Sequence, residues 1–136
     1  MTDQKSCEDK AATHGTICWS ELNARDAERA KKFYADTLGW SFQGMPMEGF
    51  TYWVCETAGA RVGMFEMNGP EFENMPEYWL TYIAVDDVDA RLAKAKAAGA
   101  TICKDAWDIP GVGRMAVLQQ PGGAVVAWMT PKPIAA

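Results

Sequence analysis

The chain has 136 residues, of which 49% are hydrophobic and 23% charged, and its formal net charge at pH 7 is −5. This length and composition predict one compact soluble domain, or two half-domains that share a core, and exclude two large independent domains. The acidic balance, without a dense basic patch, argues against nucleic acid or an anionic membrane as the main partner.

The expected location is the cytoplasm. No apolar run approaches the roughly 20 residues needed to cross a bilayer, and the N-terminal residues lack the apolar centre of a secretory signal. The four cysteines are scattered without metal-binding spacing, so we expect reduced thiols. The only histidine, His14, leaves almost no imidazole for catalysis or metal binding.

The first half of the chain predicts a tail, one helix and four strands. Residues 1–14 predict a flexible tail, and residues 16–22 predict a strand because they are rich in β-branched and aromatic side chains. Asn23 and Asp26 are candidate helix starts, and apolar residues at helical spacing lead to Gly39, which is expected to end the helix. The other strands of this half are predicted at 40–43, 50–56 and 61–67, the last two paired across a turn at Gly59.

The second half predicts the same order of elements after a linker at 69–78. A strand over 79–85 precedes a helix that begins after Asp86 or Asp87 and ends at Gly99. Three more strands are predicted at 101–107, 113–119 and 124–129. The residues expected to pack the two helices onto strands are Phe33, Tyr34, Leu38, Val88 and Leu92.

The two halves form an internal repeat. A shift of 60 residues places Trp19 on Trp79, Asp26 on Asp86 and Gly39 on Gly99. A four-stranded sheet covered by one helix leaves its other face bare, and a second copy of the same unit can bury that face. The predicted fold class is therefore α+β, with two tandem βαβββ modules, at 15–68 and 79–130, forming curved mixed sheets around a cleft.

The order and spacing of short segments resemble a known superfamily. The segments are Glu21-Leu22, Asp26–Tyr34 and Leu38-Gly39-Trp40 in the first half, and Ala84–Ala90, Gly99-Ala100, Asp105 and Pro121-Gly122-Gly123 in the second. Over about residues 16–130 the chain is similar to the vicinal oxygen chelate superfamily, which includes glyoxalase I, extradiol dioxygenases, fosfomycin-modifying enzymes and bleomycin-resistance proteins. The resemblance implies the glyoxalase/bleomycin resistance/dioxygenase fold, but the fold hosts several activities.

The resemblance also implies four positions for the ligands of a divalent metal, in the first and last strand of each module. In this sequence those positions hold Trp19, either Trp79 or Leu80, Glu66, and Ala127. Only Glu66 is a hard metal ligand, and one carboxylate does not make a metal site. We therefore expect no metal and no other cofactor.

The same positions and their neighbours define a candidate ligand-binding cleft, for which no catalytic residue is assigned. Its predicted residues are Trp19, Glu21, Tyr52, Met64, Glu66, Trp79, Thr81, Met115, Ala127 and Met129. Three alternatives stay open. The two tryptophans line a cavity or fill the core, depending on a one-residue register. Glu21 either binds a ligand or is a carboxylate at the rim, and Glu66 is either a ligand-binding residue or an exposed strand residue.

These features favour a metal-independent protein that binds a small, partly aromatic organic molecule in an apolar cleft. The alternative is a metal-dependent lyase or dioxygenase similar to glyoxalase I, with ligands drawn from Glu21, Glu66, Gln119 or Gln120. A third class, an interaction module of a larger assembly, has no recognition motif to support it. The resemblance further implies a homodimer, and exposed apolar surface on a chain of this size favours one.

Overall fold

The structure is a computed structural model that describes residues 13–131, so residues 1–12 of the tail predicted at 1–14 lie outside the described residues. The first elements are β1 (Ile17–Ala24), α1 (Ala27–Leu38), β2 (Phe42–Met47), β3 (Phe50–Cys55) and β4 (Val62–Glu66). After a 3₁₀ turn at Pro70–Phe72 come β5 (Tyr78–Ala84), α2 (Val88–Ala97), β6 (Thr101–Ile109), β7 (Gly113–Gln119) and β8 (Val125–Pro131). The order β-α-β-β-β occurs twice, and the predicted α+β class is confirmed. Neither helix of the described region is long and apolar enough to span a membrane.

The described residues form two compact units, which we treat separately. The first unit is Trp19–Leu80, and the second combines residues 13–18 with 81–131. In the first unit the strand order is β2-β3-β4-β1, and in the second it is β5-β8-β7-β6. The β1–β4 and β5–β8 pairs are parallel, whereas the hairpin pairs are antiparallel, so each unit contains a mixed four-stranded arrangement.

Helix α1 begins and ends where the sequence predicts. The carboxylate of Asp26 accepts a hydrogen bond from the backbone N–H of Arg29 at 3.1 Å, which satisfies a donor that the first turn leaves without a partner. Gly39 adopts the left-handed conformation at φ 75° and ends the helix. These signals are local, so they are readable without the fold.

Helix α2 is capped by Asp87, and this changes the register of the repeat. The Asp87 carboxylate accepts from the backbone N–H of Ala90 at 3.1 Å, while Asp86 pairs with Arg91 at 2.8 Å. The two capping residues, Asp26 and Asp87, are therefore 61 residues apart, not 60. Through the strand and the start of the helix, Trp19 corresponds to Leu80, and the predicted match with Trp79 is wrong by one residue.

Strand β2 differs from its prediction. It runs from Phe42 to Met47, beyond the predicted 40–43, and includes Pro46. β2 is the edge strand of the first unit, so no strand pairs with its outer side. The backbone N–H that Pro46 lacks is therefore not needed for a hydrogen bond on that side. The turn to β3 contains Gly49 at a φ of 87°, a conformation that favours glycine.

The helices pack on their strands through fewer residues than predicted. Val88 and Leu92 are 1% and 3% exposed, as expected for the α2 core. On α1 the buried stripe consists of Ala27, with Ala30 and Tyr34 partly buried against the same strands. Phe33 and Leu38 are 57% and 59% exposed, so their predicted packing role is wrong. Phe33 directly precedes Tyr34 and lies off the stripe, and Leu38 is the last helical residue.

Candidate functional site

Strand alternation divides the side chains of the first unit between two faces. Leu22, Ala24 and Met64 are buried under α1, and Trp53 packs against them. Residues that alternate with these point to the other side of the strands. We call that side the helix-free face of the first unit. It carries Trp19, Glu21 and Asn23 from β1, Phe50 and Tyr52 from β3, and Gly63 and Phe65 from β4.

Three side chains on the helix-free face form a directed chain of hydrogen bonds. The indole N–H of Trp19 donates to the hydroxyl oxygen of Tyr52 at 3.0 Å. The Tyr52 hydroxyl in turn donates to Oε2 of Glu21 at 2.9 Å. Glu21 is only 8% exposed, and a buried carboxylate is stable only when such donors point at it. We call these three residues the Trp19–Tyr52–Glu21 chain.

Gly63 provides the space that this chain needs. It is paired with Glu21 in the parallel β1–β4 ladder. A Cβ atom at Gly63 would lie 2.0 Å from the Tyr52 hydroxyl and 2.7 Å from Nε1 of Trp19. Gly63 was not among the predicted site residues. A glycine inside a strand is the signal that could have identified it, because such a glycine often marks a close approach of another group.

Further aromatic side chains of the first unit contact one another, and two of them lie on the helix-free face. The ring of Phe65 contacts the rings of Phe50 and Phe72, with centroids 5.5 and 5.7 Å apart. We call Phe50, Phe65 and Phe72 the aromatic row. Phe65 is paired with Asn23, which is 5% exposed and whose Nδ2 lies 3.4 Å from the backbone oxygen of Glu21. The sequence prediction missed all four residues.

Two predicted site residues of the first unit lie on the α1 side of the strands. Met64 is fully buried in the core beneath α1. Glu66 accepts a hydrogen bond at Oε2 from the backbone N–H of Ala27 at 2.8 Å, the first residue of α1. A carboxylate at this point satisfies an unpaired helix donor and interacts favourably with the helix dipole. Glu66 therefore supports the helix, and the structure does not bring it to Glu21.

Trp79 is also away from the Trp19–Tyr52–Glu21 chain. Its ring contacts those of Tyr34 and Trp40, with centroids 6.0 and 6.4 Å apart. Trp79 is 44% exposed and its neighbour Leu80 is 3% exposed. The structure thus separates the two tryptophans that the sequence repeat had matched.

Three predicted residues of the second unit share the face opposite α2. Met129 is paired with Met115 in the β7–β8 ladder, and Ala127 is paired with Tyr82 in the β5–β8 ladder. Met115 and Ala127 are 4% and 0% exposed, so this part of the face is apolar and closely packed. Thr81 alternates with Tyr82 and points to the α2 side, so it does not join them.

The residues at the four metal-ligand positions do not fit a divalent metal. The indole nitrogen of Trp19 has no lone pair available to coordinate a cation. The side chains of Leu80 and Ala127 contain no nitrogen, oxygen or sulfur atom that could coordinate one. The carboxylate of Glu66 accepts a hydrogen bond from the backbone N–H at the start of α1. Within residues 13–131, no group of three or more His, Cys, Asp or Glu side chains is placed to hold a metal ion.

Two arginines of the second unit form ion pairs with carboxylates on or next to α2. Two hydrogen bonds from the guanidinium of Arg91, at 2.8 and 2.9 Å, hold the pKa of Asp86 at about 2, below its ordinary value of 3.8. Arg114 similarly lowers the pKa of Asp89. The two carboxylates are exposed and the two guanidinium groups are partly buried, so these pairs lie at the surface around α2.

Comparisons with known proteins identify the family. Residues 16–127 match the Glyoxalase/Bleomycin resistance protein/Dioxygenase superfamily. The chain is 38% identical over 120 residues to the protein named "Putative glyoxylase CFP32" of Mycobacterium tuberculosis, covering 88% of this chain and 45% of that protein. It is 29% identical over 126 residues to the "Anthracycline biosynthesis protein DnrV" of Streptomyces peucetius, covering 83% and 46%. The chain thus spans less than half the length of these relatives.

Solved structures show the same fold at low identity. A hypothetical protein of Bacillus halodurans, BH1468, superimposes with a TM-score of 0.67 at 12% identity, covering 91% of this chain and 99% of that one. Methylmalonyl-CoA epimerase of Mycobacterium tuberculosis gives 0.62 at 13% identity, covering 89% and 93%. With the family match over most of the chain and the doubled βαβββ order, the chain belongs to the Glyoxalase/Bleomycin resistance protein/Dioxygenase superfamily.

Proposed function

We propose that the chain binds a small, partly aromatic organic molecule against the helix-free face of the first unit, without using a metal ion. The observation that carries the proposal is the Trp19–Tyr52–Glu21 chain, in which two aromatic side chains orient one buried carboxylate. Small-molecule sites are typically apolar and aromatic surfaces with a few well-placed polar groups. The aromatic row extends this surface by three phenylalanine rings.

The names of similar proteins guide the choice of ligands to test. One relative is named for anthracycline biosynthesis, and one protein of the same fold is an epimerase of methylmalonyl-CoA. A screening panel should therefore contain an anthracycline, an acyl-CoA, and simple aromatic amines, phenols and acids.

Tryptophan fluorescence tests the proposal directly, because Trp19 belongs to the proposed site. We expect at least one panel member to give a saturable change in emission, and we expect Trp19→Phe to remove most of that change. Trp107→Phe is the matched control, since Trp107 lies on β6 of the second unit, where Lys104 contacts its ring at 3.9 Å. If no panel member gives a saturable change, the proposal is contradicted.

A metal-dependent lyase or dioxygenase is the second candidate, favoured by the family itself and by the relative named as a glyoxylase. Elemental analysis of protein purified without chelator separates the two candidates. We expect less than one metal ion per chain and an unchanged melting temperature after chelation, because a bound metal stabilises the native state by mass action. A stoichiometric metal together with a lower melting temperature after chelation would favour the enzyme.

We also propose that the chain is a homodimer. Phe33, Leu38 and Trp79 of the first unit are 57%, 59% and 44% exposed, and clustered exposed apolar side chains are typical of protein interfaces. Symmetric pairs are the commonest oligomers. Light scattering should give a mass near twice the 14.9 kDa of the chain, and a mass near 14.9 kDa at every concentration would contradict this.

A cytoplasmic location is proposed as well, since Cys55 and Cys103 are free thiols within the described residues. Fractionation of the producing cells, with detection of this chain in each fraction, tests that proposal.

A further inference from the structure

A cavity of about 320 Å³ lies beside α1 in the first unit, lined by Leu22, Arg29, Ala30, Phe33, Tyr34 and Glu77. Leu22 is part of the core beneath α1, and Ala30 and Tyr34 pack against that core, so the cavity is on the opposite side of the strands from the helix-free face. We propose that this cavity binds a free aromatic amino acid, with its carboxylate on Arg29 and its ammonium group on Glu77. The site is separate from the proposed function and does not depend on it.

The apolar part of the lining fits an aromatic ring. Phe33 and Tyr34 contact each other edge to face, with ring centroids 4.9 Å apart. Phe33 is 57% exposed, and a ligand ring that covers it removes apolar surface from water, which is favourable. The cavity volume is at the lower end of the range of about 300–1,000 Å³ that is typical of small-molecule sites, so we expect a small ligand.

Arg29 offers a guanidinium group to the ligand. Its ion-pair partner is Glu77, but Nη2 of Arg29 and Oε2 of Glu77 are 3.9 Å apart, too far for a hydrogen bond. The Arg29 side chain is 71% exposed, and among residues 13–131 no acceptor is hydrogen-bonded to its guanidinium. The N–H groups of arginine form a planar fork that matches a carboxylate, so those of Arg29 are available to bind one.

Glu77 offers a carboxylate oxygen in the same cavity. Its Oε2 accepts a hydrogen bond from the backbone N–H of Arg25 at 2.7 Å, whereas its Oε1 has no hydrogen-bond partner in the described part of the chain. The guanidinium of Arg25 donates to three backbone oxygens of the segment before Glu77, those of Phe72, Glu73 and Met75. These bonds hold Glu77 in place before a ligand arrives, which lowers the cost of ordering it on binding.

The pair of opposite charges selects the head of the ligand. In an α-amino acid the ammonium and the carboxylate are attached to one carbon, so they can meet Glu77 and Arg29 at the same time. A ligand with only one of these charges has one favourable partner in the cavity and one of like charge. The cavity therefore favours a zwitterion over a simple amine or a simple acid.

Four probes test this preference by calorimetric titration of the full chain at low salt. L-phenylalanine carries both charges, phenethylamine lacks the carboxylate, 3-phenylpropanoate lacks the ammonium, and L-alanine lacks the ring. We expect phenylalanine to bind roughly fivefold more tightly than either single-charge probe, between the contributions of an exposed ion pair and of a hydrogen bond to a charged group. L-alanine should bind most weakly. The protein is kept dilute, because Phe33 also belongs to the surface proposed for the homodimer and a second copy would compete with the ligand.

Variants then assign each charge to one residue. Arg29→Gln should lower the affinity for phenylalanine roughly fivefold and leave that for phenethylamine no weaker than before. Glu77→Gln keeps an oxygen acceptor for the Arg25 N–H, and it should weaken phenylalanine similarly without weakening 3-phenylpropanoate. Lys32→Gln and Glu28→Gln make the same charge changes on α1 outside the cavity and should leave all affinities unchanged.

The outcomes decide the inference separately from the proposed function. It is overturned if phenylalanine does not bind, if it binds no more tightly than both single-charge probes, or if the control variants weaken it as much as Arg29→Gln and Glu77→Gln do. Trp19→Phe should leave phenylalanine binding unchanged. Loss of binding in Trp19→Phe would assign the ligand to the helix-free face, which supports the proposed function and overturns this second site.

Discussion

Gly63 is paired with Glu21 in the parallel ladder of β1 and β4, and its missing side chain leaves the space that the Tyr52 hydroxyl occupies. The hydroxyl crosses over Gly63 from β3 and reaches the carboxylate on β1. The polar centre of the candidate site therefore depends on a residue that contributes no functional group of its own.

Replacing Gly63 with Ala should disrupt the Trp19–Tyr52–Glu21 chain. The new Cβ would lie 2.0 Å from the Tyr52 hydroxyl, so the Tyr52 side chain must move. We expect a loss of about 1–3 kcal/mol in the free energy of unfolding, measured by urea denaturation. The control is the same change in a Tyr52→Leu background, where the clash with the hydroxyl is absent. The loss should be smaller in that background, where the close contact with Nε1 of Trp19 remains, and equal losses in both backgrounds would show that the clash with the Tyr52 hydroxyl was not the cause.

Tyr52→Phe should destabilise the protein while keeping the ring. The change removes one donor to the buried Glu21 carboxylate and the acceptor of the Trp19 N–H, and we expect a cost of about 1–3 kcal/mol by denaturation. Tyr34→Phe is the matched control, because within residues 13–131 the Tyr34 hydroxyl makes no hydrogen bond and the ring stacks on Trp40. Its expected change is within about 0.5 kcal/mol. Similar losses for both variants would contradict the prediction.

Leu92→Ala and Leu38→Ala make the same chemical change at two helix positions. Leu92 is 3% exposed in the core beneath α2, and its truncation should cost about 2–5 kcal/mol because it leaves a cavity. Leu38 is 59% exposed at the end of α1, so its truncation should cost less than about 0.5 kcal/mol. Thermal melts of both variants check the pair. A Leu92→Ala melt that matches the wild type would show that the α2 core is misassigned.

The ion pair of Asp86 with Arg91 should contribute to stability in a pH-dependent way. Arg91 lowers the pKa of Asp86 to about 2 in the folded protein from 3.8. Above pH 3.8 the carboxylate is charged in both folded and unfolded states, so the contribution is complete there, and it is lost as the pH falls through about 2.

Urea denaturation of Arg91→Gln at several pH values measures this contribution. The difference in stability from wild type should be constant above about pH 4 and shrink towards pH 2. Lys32→Gln, which breaks the exposed pair with Asp36 on α1, is the control and should change stability by no more than about 0.5 kcal/mol. A difference for Arg91→Gln that stays constant down to pH 2 would contradict the assignment.

The features of this fold that the sequence predicts depend on interactions between residues that are close together in the chain. An aspartate before each helix marks where α1 and α2 begin, and Gly39 marks the end of α1, because capping bonds join neighbours in the chain. The order of strands and helices follows from the same local patterns. The choice between Asp86 and Asp87 was open from sequence, since both have the same side chain and only the geometry of the first turn selects one.

The sequence by itself thus determined the α+β class, the doubled βαβββ order and the family resemblance. Only the tertiary structure decided which strand residues share a face, because a shift of one residue in pairing turns every side chain of a strand to the opposite side. That is why Trp19, Glu21 and Tyr52 lie together while Met64 and Glu66 face α1. The role of Gly63 also required the structure, since the approach of Tyr52 depends on strand pairing, which no local pattern encodes.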